Sequence, residues 1–157
     1  MPAIADDSGL EVDALRGAPG IYSARFAARE GFDSSALPEE LSKDQRNNAC
    51  LLQRLEGLPT AQRSARFRCA LAFMRHAEDP APLIASAHWE GYILPQASGN
   101  NGFGYDPLFF AHDAGCAAAE LDKAEKLKFS HRGQALQLLL RELQQHAEIY
   151  LPESPAE

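Results

Sequence analysis

The sequence predicts a mixed α/β domain, and three observations carry that expectation. Residues 65–94 form two runs of alternating apolar and polar side chains around a polar break, the period-two pattern of an antiparallel hairpin. Residues 43–56 and the stretch from Ser130 repeat leucines at helical spacing behind good N-cap residues. A length of 157 residues suits one hydrophobic core and is short for two.

Taken in order, Pro2-Ala3-Ile4-Ala5 is an apolar run that stops at Asp6-Asp7-Ser8-Gly9, the pattern of a buried strand ending in an acidic turn. From Ala14 to Arg29, Gly17, Pro19 and Gly20 favour an ordered loop that Ile21, Tyr22 and Phe26 can pin. Ser42 with Gln45 resembles a capping box, and Leu51, Leu55 and Leu58 follow before Gly57 and Pro59 end the pattern, so a helix is expected over about 43–56. Ala65, Phe67, Cys69, Leu71 and Phe73 mark one strand, His76 to Pro82 the turn, and Leu83 to Leu94 its partner. Residues 98–107 are too glycine-rich for regular structure, and a short strand, Leu108 to Phe110, is expected after them. The last helix begins at Ser130 and carries Leu136, Leu139, Leu140, Leu143 and Ala147 on one face, with a proline-bearing tail at 152–157.

Hydrophobic residues at 45% and charged residues at 24% exclude a disordered or collagen-like chain. No apolar run approaches the ~20 residues of a membrane span, and no signal-peptide core precedes Asp6 and Asp7, so no membrane partner and a cytoplasmic location are expected. A net charge of −7 opposes a polynucleotide partner, although a few converging cations can still hold one triphosphate. Cys50, Cys69 and Cys116 are odd in number and widely spaced, which fits reduced, inert thiols better than disulfides or a zinc site.

Three constellations could carry chemistry. Asp6 and Asp7 offer hard oxygen ligands for Mg²⁺ or a base for water, against the alternative of a cap or Asx-turn. Gly102-Phe103-Gly104-Tyr105-Asp106-Pro107 joins aromatic faces, close backbone approach and an acceptor, which suits a planar base, against an ordinary glycine turn with core aromatics. Ser130-His131-Arg132 places cations at a helix N-terminus, an unfavourable arrangement without a compensating ligand, and Lys126 lies just upstream. His88-Trp89-Glu90 imitates a deaminase H-x-E without its cysteines, His76, His112 and His146 stand alone as solvated side chains, and Trp89, Phe67 and Phe73 are read as core.

In this order, Pro2 to Leu10, Gly17 to Arg25, Gly102 to Pro107 and Ser130 to Gly133 resemble the Ham1 family of inosine/xanthosine triphosphate pyrophosphatases, over residues 2 to about 143. The resemblance implies an elongated mixed sheet with flanking helices, two lobes around a central cleft, and a homodimer. It also implies Mg²⁺ as cofactor and hydrolysis of noncanonical purine nucleoside triphosphates (dITP, ITP, XTP) to monophosphate and pyrophosphate. Carried over residue by residue, Asp7 becomes the proton acceptor and a metal ligand, Asp6 supports the metal, and Ser8 touches the substrate. Phe103, Gly104, Tyr105 and Asp106 contact the nucleoside, and Lys126, His131 and Arg132 complete the base and phosphate contacts.

One departure stands out. Family members carry, ahead of the Asp-Asp-Ser-Gly strand, a first strand, a glycine-asparagine loop with a triphosphate-gripping lysine, and a helix with a metal-binding glutamate. The expectation is therefore a single domain, 1–157, truncated at its N-terminus relative to the family, with an uncovered sheet edge or core face. Three functions follow: a house-cleaning pyrophosphatase, a non-catalytic nucleotide-binding subunit, or an α/β protein with another phosphate substrate.

Overall fold

The computed structural model describes residues 1–150; the expected tail at 152–157 lies outside them. Six strands, β1 (Ala3–Val12), β2 (Pro19–Gly20), β3 (Ser64–Met74), β4 (Leu83–Ile93), β5 (Phe109–Ala111) and β6 (Cys116–Ala117), form one sheet in the order β2-β1-β3-β4-β5-β6. Every pairing among them is antiparallel. The helices are α1 (Phe26–Arg29), α2 (Lys43–Arg54), α3 (Lys123–Phe129), α4 (His131–Gln145) and α5 (Ala147–Tyr150). None of the described helices is long and apolar enough to cross a membrane.

The predicted hairpin is β3 and β4, and its alternation makes a one-sided core. Phe67 lies opposite Trp89, and both rings pack with Phe109. α2 adds Cys50 and Leu51, and its C-cap Leu55, to this part of the core, while Ala135, Leu139 and Leu143 of α4 cover Cys69, Leu71 and Phe73 farther along the same sheet face. At the hairpin tip the buried Asp79 carboxylate accepts from the Arg75 amide and guanidinium, and these bonds hold its pKa well below the ordinary carboxylate range. The opposite sheet face is charged: Arg66 bonds Asp13 and Glu90, each at 2.9 Å.

Four expectations are corrected. Asp6-Asp7-Ser8-Gly9 is not a turn; β1 runs through it, because its backbone pairs with β3 without a break from Ala3↔Met74 to Val12↔Ala65. The first seven residues are exposed, so the carboxylates meet water and no burial penalty ends the strand. Ile21 is 76% exposed and pins nothing; Phe26 does that work in the core. On α4, Leu136 and Leu140 are exposed and the buried stripe is Ala135, Leu139 and Leu143, because the helix crosses β3 and β4 and leaves the flank toward β1 uncovered. The short strand begins one residue later than expected, since Asp106–Leu108 forms a 3₁₀ turn.

α3 and α4 meet at Ser130, whose hydroxyl accepts from the Gly133 amide at 3.1 Å. A Cβ at Gly133 would run into the backbone carbonyl of Leu127, which cannot swing aside. Alanine is the better helix former by ~1 kcal/mol, yet overpacking against backbone outweighs that gain, so Gly133→Ala is expected to lose about 2 kcal/mol of stability. Urea unfolding measures this, and a stabilised variant would refute the close approach.

Candidate active site

The loop after β4, the α3–α4 junction and the middle of β1 enclose a cavity of about 210 Å³. Its frame begins with Asp106, which is 2% exposed. One oxygen of that carboxylate accepts from the Phe103 amide at 3.0 Å and from Lys126 Nζ at 2.5 Å, tying the loop to α3. Gly102 has positive φ, and a Cβ there would collide with the same carboxylate. The Phe103 ring is consequently held out into solvent, 59% exposed, with Lys126 Nζ 4.5 Å and the Arg132 guanidinium 5.2 Å from its centroid.

His131 forms the inner wall. It stacks on Phe67 at 4.8 Å and lies near Trp89. Burial, followed by the charges of Arg132 and Lys126, pushes its pKa down to about 4. At pH 7 it is a neutral imidazole, with Nδ1 buried and unpartnered among the described residues. Tyr105 is core and no stacking face: its hydroxyl donates to the Ser23 carbonyl at 2.6 Å, and burial holds its pKa far above normal.

Arg132 crosses the mouth to β1, where its Nε lies 3.2 Å from Asp6 Oδ2 and 3.3 Å from Ser8 Oγ. Ser8 in turn donates to Asp6 Oδ1 at 2.8 Å. The structure thus brings together Asp6, Ser8, Phe103, Gly104, Tyr105, Asp106, Lys126, His131 and Arg132. It does not bring Asp7 into this cavity. Successive strand residues point to opposite faces, so Asp7 lines a second depression of about 180 Å³ with Glu11 and Arg68. The two depressions share Ser8 and Gly9.

This geometry bears on a cation. Among the described residues, no group of three or more histidine, cysteine, aspartate or glutamate side chains converges. Asp6 is engaged by a guanidinium, and Asp7 points to the other face of the strand. One carboxylate with phosphate oxygens and water is nonetheless an ordinary Mg²⁺ environment.

Sequence reasoning missed the polar face of α2. Asn47, 3% exposed, accepts from the Ala27 amide at 2.9 Å and donates to the Ala24 carbonyl at 3.2 Å, fixing the wall beside Ser23. Its signal was an asparagine in the apolar register of Cys50 and Leu51, where a buried amide must find partners. Asp44 and Asn48 both bond Gly104, and nothing local in the sequence announces that.

The sequence pattern of the Ham1 family matches residues 1–142. The chain is 53% identical over 143 residues to a dITP/XTP pyrophosphatase of Vibrio parahaemolyticus, covering 91% of this chain and 66% of that protein. A dITP/XTP pyrophosphatase of Salmonella typhi is 53% identical over 140 residues, with 89% and 66% covered. Among solved structures, a HAM1 protein from Coxiella burnetii superposes with a TM-score of 0.78 at 43% identity, over 92% of this chain and 68% of that one. The nucleoside-triphosphatase / dITP/XTP pyrophosphatase from Mycobacterium abscessus gives 0.68 at 40% identity, over 89% and 67%. The chain therefore spans about two thirds of the length of these relatives.

The depressed pKa of His131 has a stability consequence of definite sign. Between pH 6.5 and about 4 the unfolded chain binds a proton that the folded chain refuses. Its contribution is therefore complete above pH 6.5 and lost as pH falls toward 4, to a total of ~3 kcal/mol. Urea midpoints measured across that window should fall in the parent and flatten in His131→Gln; equal slopes would show that His131 is not the group responsible.

Proposed function

The chain belongs to the Ham1 family, and from that premise we propose that it is a nucleoside-triphosphate pyrophosphatase that removes noncanonical purine nucleotides (dITP, ITP, XTP) from the nucleotide pool. The observation that carries this reading is the pocket itself: an exposed ring, two cations and a neutral imidazole converge where a flat base could lie. The names of the relatives from Vibrio and Salmonella support the same substrate class.

Selection follows from donors. Lys126 and Arg132 can only donate, and neutral His131 can donate from one nitrogen. A purine with an oxygen at position 6 satisfies them, whereas the amino group of adenine meets them donor to donor. A buried polar group left unpaired costs ~1–3 kcal/mol, and several together discriminate by orders of magnitude. Phe103 stacks on the base, and Ser8 takes up the sugar-phosphate side.

The triphosphate then passes over Ser8 and Gly9, the two residues common to both depressions, and so comes within reach of Asp7. Asp7 accepts a proton as water attacks the α-phosphorus; the bond to the bridging oxygen breaks, and pyrophosphate leaves. Mg²⁺ would neutralise charge on the leaving group, with Asp7 as a ligand and Asp6, the neighbouring carboxylate, supporting the site. A homodimer in the cytoplasm belongs to the same proposal; the exposed Ile4, Leu136 and Leu140 offer apolar surface for it, and sedimentation measures it.

A second reading, nucleotide binding without turnover, draws support from the separation of Asp7 from the base pocket. Pyrophosphate release from ITP and from ATP, with Mg²⁺, decides between the two. Turnover of ITP about 10²-fold above ATP is expected. Asp7→Asn should reduce kcat by about 10²–10⁴ with ITP binding retained, and Arg132→Ala should narrow the ITP/ATP ratio. Binding of ITP with no release would leave the second reading standing.

A further inference from the structure

The pocket's stacking ring is placed with little help from burial, though Asp106 holds its amide and Lys126 and Arg132 lie over its face. The loop that carries it is anchored at its start by Asn101, whose amide donates to the Ala119 carbonyl at 2.9 Å, and at its end by the buried Tyr105. Between those anchors Phe103 is mostly solvent-exposed, so burial contributes little to its position. Two side chains of α2, one helical turn apart, instead grip the next residue at both of its backbone groups. Asp44 Oδ2 accepts from the Gly104 amide at 2.9 Å, and Asn48 Nδ2 donates to the Gly104 carbonyl at 3.2 Å.

We propose that Asp44 and Asn48 are positioning residues that hold the Gly104 peptide and thereby set Phe103 as the platform for the base. This rests on the nucleotide-pocket reading above. The helix is suited to the task. Its first turn is locked by the reciprocal bonds of Ser42 and Gln45, and Asn47, between the two clamp residues, fastens the opposite wall at Ala24 and Ala27. α2 therefore references both walls of the pocket to one rigid element. The Asn48 carbonyl oxygen is buried without a partner among the described residues, and a flipped amide would set that oxygen against the Gly104 carbonyl. The contact with Gly104 fixes the amide as it stands.

The test is calorimetric titration of the intact chain with IMP, which presents the base and has no anhydride to hydrolyse, and with ribose 5-phosphate, which lacks the base. Asp44→Ala and Asn48→Ala should each weaken IMP about tenfold, the scale of one lost hydrogen bond, and the double variant should lose no more than either, since both side chains hold one residue. Asp44→Asn keeps an acceptor oxygen and should recover most of the affinity. Ribose 5-phosphate should bind all variants alike, and amide exchange at residues 102–105 should quicken in both alanine variants. Unchanged IMP affinity in the alanine variants, or equal losses for ribose 5-phosphate, would overturn the proposal. If the parent chain takes up no IMP, the nucleotide reading fails and the clamp is judged by exchange alone, unaltered exchange at Gly104 overturning it.

Discussion

The buried pair of Asp106 and Lys126 is the constraint around which the site is built. A carboxylate that is 2% exposed is tolerable only when its lone pairs are used, and here a lysine and the Phe103 amide use them. Such a pair contributes little net stability against an apolar substitute, but it specifies a register. It fixes the loop to α3, and α3 hands that placement to α4 through Ser130. The absence of a side chain at Gly102 and at Gly133 permits both close approaches. His131 and Arg132, the first two residues of α4, therefore stand where the Asp106–Lys126 pair puts them.

Cations at a helix N-terminus oppose its dipole by a few tenths of a kcal/mol to ~1 kcal/mol. The structure offsets this in two ways. His131 sheds its charge by burial against Phe67 and Trp89, and Arg132 leans away from the axis onto the Asp6 carboxylate and toward the Phe103 face. The carboxylate that the sequence offered as a metal ligand thus serves first as the partner of a guanidinium.

What was legible in the sequence was local and periodic. The capping box of Ser42 and Gln45, the Ser130 cap and the alternation of Ala65 to Phe73 each report on partners within a few residues, and each formed where its pattern lay. The acidic stretch of β1 misled because a strand is held by backbone bonds to β3, some sixty residues distant, which side-chain polarity does not reveal. Leu136 and Leu140 fit the helical period as well as Leu139 does, and only the crossing of α4 over β3 and β4 decides which of them is covered. Asp44 and Asn48 were silent for the same reason. Their partner, Gly104, is a backbone with no side chain, reached through the tertiary fold.

On the function proposed above, the site separates selection from chemistry. Phe103, Lys126, His131 and Arg132 gather in one cavity, while Asp7 lies beyond Ser8 and Gly9 on the other face of β1. Contacts to a remote base accelerate hydrolysis only if they are converted into placement of the reacting phosphorus; otherwise they tighten substrate and transition state alike and leave kcat unchanged. The conversion requires a rigid path from base pocket to Asp7. β1 is that path, since Ser8 touches the Arg132 cluster and Asp7 is its immediate neighbour in an unbroken antiparallel pairing with β3. On that reading a wrongly seated base displaces the phosphate chain relative to the strand that carries Asp7. In the proposed pyrophosphatase, discrimination at the base is thus expressed as discrimination in rate.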